Sequence, residues 1–197
     1  MKYLKLTLIA VVLFAAGTAL YPRLPLHYQH ELSDWYARLG TPSYSESPDY
    51  YSAREQADII RENQARGHRL KCYGNLGQAE RINTQDDYLC SANIGSAYDN
   101  IPARLVTFFF AKKKLNHVRI EFAGDSFDSL QDYLSRKLAS YPRLDQRPHA
   151  NFGTDPFGKP LMVWRVRDGL LITAAQDTPN QKPVLLWSSI NSFRKGQ

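Results

Sequence analysis

Residues 6–21 carry no charged side chain and are built mostly of Leu, Val, Ala and Phe, with Lys2 and Lys5 before them and Arg23 after. No other feature restricts the chain as much, because such a run is removed, placed in lipid or buried. Its sixteen residues span about 24 Å as a helix, against a hydrocarbon core of about 30 Å. Tyr3, Leu4 and a snorkelling Lys5 close most of that gap.

Two readings compete over a buried core helix. A retained single-pass anchor places Tyr3 and Tyr21 at the interfaces. A cleaved signal peptide uses the small residues Gly17 and Ala19 ahead of a cut. The anchor is preferred, because the run is long for a signal core and the cleavage site is not Ala-x-Ala. No Cys stands near the end of the run, which excludes a lipoprotein. Lysines ahead of the run keep the N-terminus in the cytoplasm and export the rest. The expected location is the inner membrane, with the C-terminal domain in the periplasm. A cleaved chain would be soluble in the periplasm or secreted.

Export decides the chemistry of the two cysteines. In an oxidising compartment Cys72 and Cys90, 18 positions apart, are expected to form a disulfide. Closing that loop stabilises by about 3 kcal/mol on the loop-entropy model. No Asn opens an Asn-x-Ser/Thr sequon, in keeping with a bacterial envelope protein.

Export also divides the charge. The formal net charge is +6 and the pI about 9.3, which invites a nucleic-acid reading. Residues 21–99 carry 8 bases and 11 acids, and residues 100–197 carry 15 bases and 8 acids. The excess is therefore local to the second half. An exported domain rarely meets nucleic acid, and no aromatic-basic RNA-binding signature is present. With 43% hydrophobic and 22% charged residues, the chain has the balance of a folded protein.

The expected fold class is α+β, organised as a signal-anchor at 1–21, a helical connector at 22–69 and an extracytoplasmic domain at 70–197. A first helix is expected over 25–39, opened by Pro25 and stopped by Gly40, with Tyr28, Leu32, Trp35 and Leu39 on one face. It either packs on the domain or lies near the lipid surface. Residues 41–51 are expected to be an irregular Pro- and Ser-rich linker, whose three tyrosines, Tyr44, Tyr50 and Tyr51, imply that it packs against something. A second helix at 53–66 has a Ser52–Glu55 capping box and a Gly67 stop. Strands follow at 70–73, 88–94, 104–111 and 117–122. A third helix at 126–140 shows a clean apolar stripe at Phe127, Leu130, Leu134, Leu138 and Tyr141. Three more strands end the chain at 160–167, 170–175 and 184–189, the first two joined by an Asp168–Gly169 turn. The order β-β-β-β-α-β-β-β implies a mostly antiparallel sheet with one amphipathic helix on one face.

Few motifs carry chemistry. His27, His30 and Glu31 lack the His-Glu-x-x-His spacing that puts two ligands and a base on one helical face, and His68 would be a distant third ligand. No nucleophile elbow marks a serine, and His117 and His149 have no signature beside them. Asp86 and Asp87 would point to opposite sides of a strand, which suits a turn better than acid–base work. No phosphate loop is present. No catalytic residue, metal or cofactor is assigned.

The basic residues offer the remaining candidate. Alternation puts Arg119 opposite the core residues Val118 and Ile120, and Arg165 and Arg167 opposite Trp164 and Val166. With Lys112, Lys113 and Lys114 at one rim, these residues are read as a basic interaction face. Such a face suits an acidic protein partner, anionic lipid or a polyanionic envelope polymer. The expected function is non-enzymatic: a membrane-anchored protein that binds an envelope or membrane protein, as accessory subunit, assembly factor or inhibitor. The alternative is a small envelope hydrolase or ligand-binding domain, with a site assembled in space around His117 or His149.

Overall fold

A computed structural model describes residues 20–148 and 152–192, together with Val11. The membrane-spanning reading of 6–21 and the histidine at 149 fall largely or wholly outside them. Among the described residues no helix is long and apolar enough to cross a membrane. The chain forms two compact units, Met1–Tyr36 and Ala37–Gln197.

Helix α1 is Leu26–Arg38, where the Pro25 start and Gly40 stop place it. Gly40 takes a φ of +73°, and the Thr41 hydroxyl caps the Arg38 carbonyl at 2.6 Å.

The second unit is an α+β layer. Eight strands, all paired antiparallel, are β1 Lys71–Gly74, β2 Tyr88–Asn93, β3 Ser96–Ala97, β4 Ile101–Ala111, β5 Lys114–Phe122, β6 Leu161–Arg165, β7 Gly169–Ala174 and β8 Val184–Ser189. The sheet order is β1-β2-β4-β5-β8-β7-β6, with the short β3 lying against β4. Helix α2 is Gln56–Ala65, and α3, Phe127–Lys137, crosses over between β5 and β6. The disulfide Cys72–Cys90 is formed, and its two residues face each other in the β1–β2 register.

One face of the sheet carries the main core. Phe108, Val118, Ile120, Phe122, Leu171, Leu185 and Trp187 pack there against Leu130, Tyr133, Leu134 and Leu138 of α3. The apolar stripe read from the sequence is thus the buried one, apart from Phe127 and Tyr141 at its ends, which are partly exposed.

The boundary expected at residue 70 does not coincide with the structural one. Tyr44, Tyr51 and Ile59 are fully buried in the same core as the strands. Tyr44 packs on Phe108 at 6.0 Å between ring centroids, and Tyr51 on Trp187 at 5.8 Å. Residues 41–51 hold only a 3-10 turn at Pro48–Tyr50 and a single bridge from Tyr44 to Ala97, and Tyr44 and Tyr51 hold the segment to the sheet as a strap.

Two local expectations also change. The Ser52–Glu55 capping box does not form; residues 54–56 pair instead with the β4–β5 turn, through Gln56 N–H to Lys113 O and Leu115 N–H to Arg54 O, both 2.8 Å. Asp168–Gly169 is not the two-residue turn, because the chain reverses one residue earlier, over Arg167–Asp168, and the Val166 N–H reaches Gly169 O at 3.0 Å across it. Gly169 is required for space: a Cβ there would lie 2.3 Å from the Ser188 carbonyl oxygen and 2.6 Å from Trp187 Nε1.

Candidate functional site

The sheet face turned away from α3 is built by the alternate residues of each strand. Register places Arg119 of β5 between Thr107 of β4 and Leu186 of β8, with Ile172 of β7 next in the row. In the adjoining row Glu121 stands between Leu105 and Val184. The β1–β2 loop folds over one end, where its Leu76 and Ile82 cover Leu89 and Phe109. Farther along this face Leu105, Ile172, Val184 and Leu186 are only half-buried. An antiparallel sheet with one solvated face usually reads polar there; four aliphatic side chains depart from that pattern.

Charge surrounds this aliphatic strip. Arg119 Nη2 lies 3.1 Å from Glu121, and Arg104 Nε lies 3.9 Å from the same carboxylate. Arg165 shares the face on the outer strand β6, three strands from Arg119 and so about 14 Å across the sheet. Lys71 shares it on the opposite outer strand, β1. Among the described residues no carboxylate pairs with Arg165 or Lys71.

The six basic residues singled out from the sequence do not form one patch. Lys112 and Lys113 make the exposed β4–β5 turn, and Lys114 opens β5 with its Nζ 3.4 Å from Glu55. Arg167 lies over the Tyr50 ring at 4.6 Å, and Lys137 of α3 approaches the same ring at 5.8 Å. It therefore belongs with the helix-bearing side. Alternation predicted otherwise, but strand pairing stops at Arg165, and period two no longer applies once the chain turns.

The alternation that placed His117 beside Arg119 holds, yet His117 is not exposed. The β1–β2 loop closes over it and brings Asp86 to its ring. Asp86, His117 and Ser188 are 0%, 2% and 2% exposed. The Asp86 carboxylate accepts from the Ile82 and Asn83 N–H groups, both at 3.0 Å, and from Asn116 Nδ2 at 2.8 Å. Asn116 Nδ2 also lies 3.0 Å from His117 Nε2, and His117 Nδ1 lies 2.7 Å from Ser188 Oγ. With the amide donating to Nε2, the proton of the neutral ring is assigned to Nδ1, facing Ser188.

Burial holds His117 neutral, with its pKa lowered to about 4, and the Asp86 charge only partly opposes that shift. The 3.6 Å approach of Asp86 to Nε2 is thus a contact between an acid and a neutral ring. The residue types are those of a hydrolytic triad, and the serine among them is 2% exposed. What the cluster does is staple the β1–β2 loop to the middle of the sheet. Asn116 is available for this because a bulge between the Phe109–His117 and Phe110–Leu115 pairs leaves it unpaired. No sequence signal joins residues 86, 116 and 188; only the fold brings them together.

Among the described residues no group of three or more His, Cys, Asp or Glu is placed to hold a metal. The side chains of His27 and His30 lie outside the described residues. His68 is buried against Tyr44, and among the described residues neither ring nitrogen has a hydrogen-bond partner. Burial and the Arg66 charge lower its pKa.

Comparison with known proteins adds no relative: no family model, no curated protein and no solved structure matches the chain.

Proposed function

We propose that the chain is an extracytoplasmic protein, held at the membrane by residues 6–21, which binds another envelope protein through the uncovered face of its sheet. The observation that carries this reading is the strip of Leu105, Ile172, Val184 and Leu186, half-buried on the face opposite the main core. Contiguous apolar surface left open on a folded domain marks an interaction site. Arg119, Arg165 and Lys71 stand around it, so the complementary surface is apolar at its centre and acidic at its rim. The Cys72–Cys90 disulfide supports an oxidising compartment. Accessory subunit, assembly factor and inhibitor are the roles in keeping with such a surface. No step of chemistry is assigned to it.

A photo-activatable cross-linker placed at Leu186 and at Leu105 in living cells tests this. Both positions are expected to give the same single adduct, whereas Asp132, on the exposed side of α3, gives none. Adducts from all three positions, or from none, would overturn the reading.

A second reading, a small hydrolase, is favoured by one observation: Asp86, His117 and Ser188 are adjacent. Covalent labelling of Ser188 by a fluorophosphonate would promote it; the burial of Ser188 leads us to expect none.

A further inference from the structure

We infer that α1 lies in the membrane interface, parallel to the bilayer, with its aromatic stripe seated among lipid headgroups. This rests on residues 6–21 being the membrane tether. Tyr28, Leu32 and Trp35 of α1 recur at steps of four and three, which places them on one stripe, and Leu39 follows directly after the helix. They are 49%, 45%, 55% and 54% exposed, and Tyr36 beside them is 74% exposed. The other two tryptophans, Trp164 and Trp187, are 4% and 0% exposed. Leu32, Trp35 and Tyr36 therefore present apolar and aromatic surface on this helix.

Three facts select lipid over an acidic or basic partner. Only residues 22–25 separate the helix from the uncharged run, so any tether in lipid brings α1 to the membrane surface. Tyr and Trp are the side chains that partition to the headgroup level, with an apolar body and a polar tip. Over residues 22–38 Arg23 and Arg38 balance Glu31 and Asp34, giving a formal charge of zero with His neutral. Attraction is then aromatic and apolar, and an anionic headgroup is not required. The helix has 13 residues, about 20 Å, too short to span a hydrocarbon core and too charged to enter it. An amphipathic helix of this kind rests in the interface plane.

The test uses the full chain reconstituted in phosphatidylcholine vesicles whose acyl chains are brominated at shallow or deep positions. Trp35 emission is the difference between wild type and Trp35→Phe, a change at an exposed site that spares the core. Shallow bromine is expected to abolish this difference and deep bromine to reduce it less. About 0.5 M salt, which screens exposed charges, should leave the quenching intact.

Flotation of the vesicles separates the inference from the tether on which it rests. If the chain floats but the Trp35 difference survives bromination and is quenched by aqueous iodide, the interfacial helix is overturned and the tether stands. If the chain does not float, both fall. Quenching that disappears in salt would show a charge-driven contact and overturn the aromatic seating. Shielding of Trp35 from iodide that rises with protein concentration would assign the stripe to a second copy of the chain, with the same consequence.

Discussion

His117 is held neutral by burial, its pKa lowered to about 4, and Asp86 at 3.6 Å recovers only part of that shift. In the unfolded chain the same ring titrates near 6.5. Between those values the unfolded state binds the proton and the folded state does not, so stability falls as pH drops through this window. The full loss is about 3 kcal/mol and is complete below pH ~4, where both states are protonated. His117→Gln keeps polar atoms in the site and removes the titration. Denaturant midpoints at pH 7 and pH 4.5 should converge for the variant and stay apart for the wild type; equal pH dependence would show that His117 is not the cause. Gly169 makes a second prediction at this scale. Gly169→Ala forces a Cβ into the Ser188 carbonyl, and thermal melting should show a loss of about 3 kcal/mol. A neutral result would mean that β7 and β8 separate easily. Neither dependence was legible in the sequence. His117 falls on the polar side of a clean alternation, and Asp-Gly invites a turn; the loop that buries one and the ring that crowds the other come from 31 and 18 residues away.

Among the elements, the turn between β4 and β5 is the least comfortable. Lys112 and Lys113 both take positive φ, +50° and +64°. Two left-handed residues are what a tight hairpin requires, but lysine pays about 1 kcal/mol at each. Replacing the pair by Asn-Gly should stabilise the domain by about 1–2 kcal/mol in denaturant unfolding. A loss would mean that the lysine side chains themselves hold the turn. Element positions were well encoded where periodicity was uninterrupted. Val118, Ile120 and Phe122 announced β5, and Leu130, Leu134 and Leu138 announced α3. The tyrosines of the strap at 41–51 pointed to packing but not to its partner, because Tyr44 and Tyr51 carry no period; their burial is set by Phe108 and Trp187, far along the chain. Arg167 was misplaced for the related reason that a strand's period ends where its pairing ends.

On the scale of the molecule, the disulfide joins an outer strand to its neighbour at one end of the sheet. Changing both cysteines to alanine should cost about 3 kcal/mol, read as a lower melting temperature, and the wild type under reducing conditions should match the variant. Identical melting of oxidised wild type and variant would show that β1 adds nothing. The uncovered face was half-legible: Arg119 was assigned to it from alternation, but the aliphatic strip beside it was not singled out. Leu105, Val184 and Leu186 sit in strands whose other face is also apolar, and apolar residues on both sides hide which side is open.

The sheet order has a consequence for how the chain is made. Residues before α3 and residues after it form separate meanders, β1-β2-β4-β5 and β8-β7-β6, which meet along the β5–β8 pairing. In order of synthesis β5 is complete at residue 122, and its partner edge is finished only at residue 189. Through that interval the backbone groups of β5 from His117 to Glu121 lack their partners, on a strand that carries Val118 and Ile120. An unpaired apolar edge is a template for joining the wrong chain. The last strand is thus the one that makes the first half safe, and a chain stalled before residue 184 would be sticky along its middle, not its end.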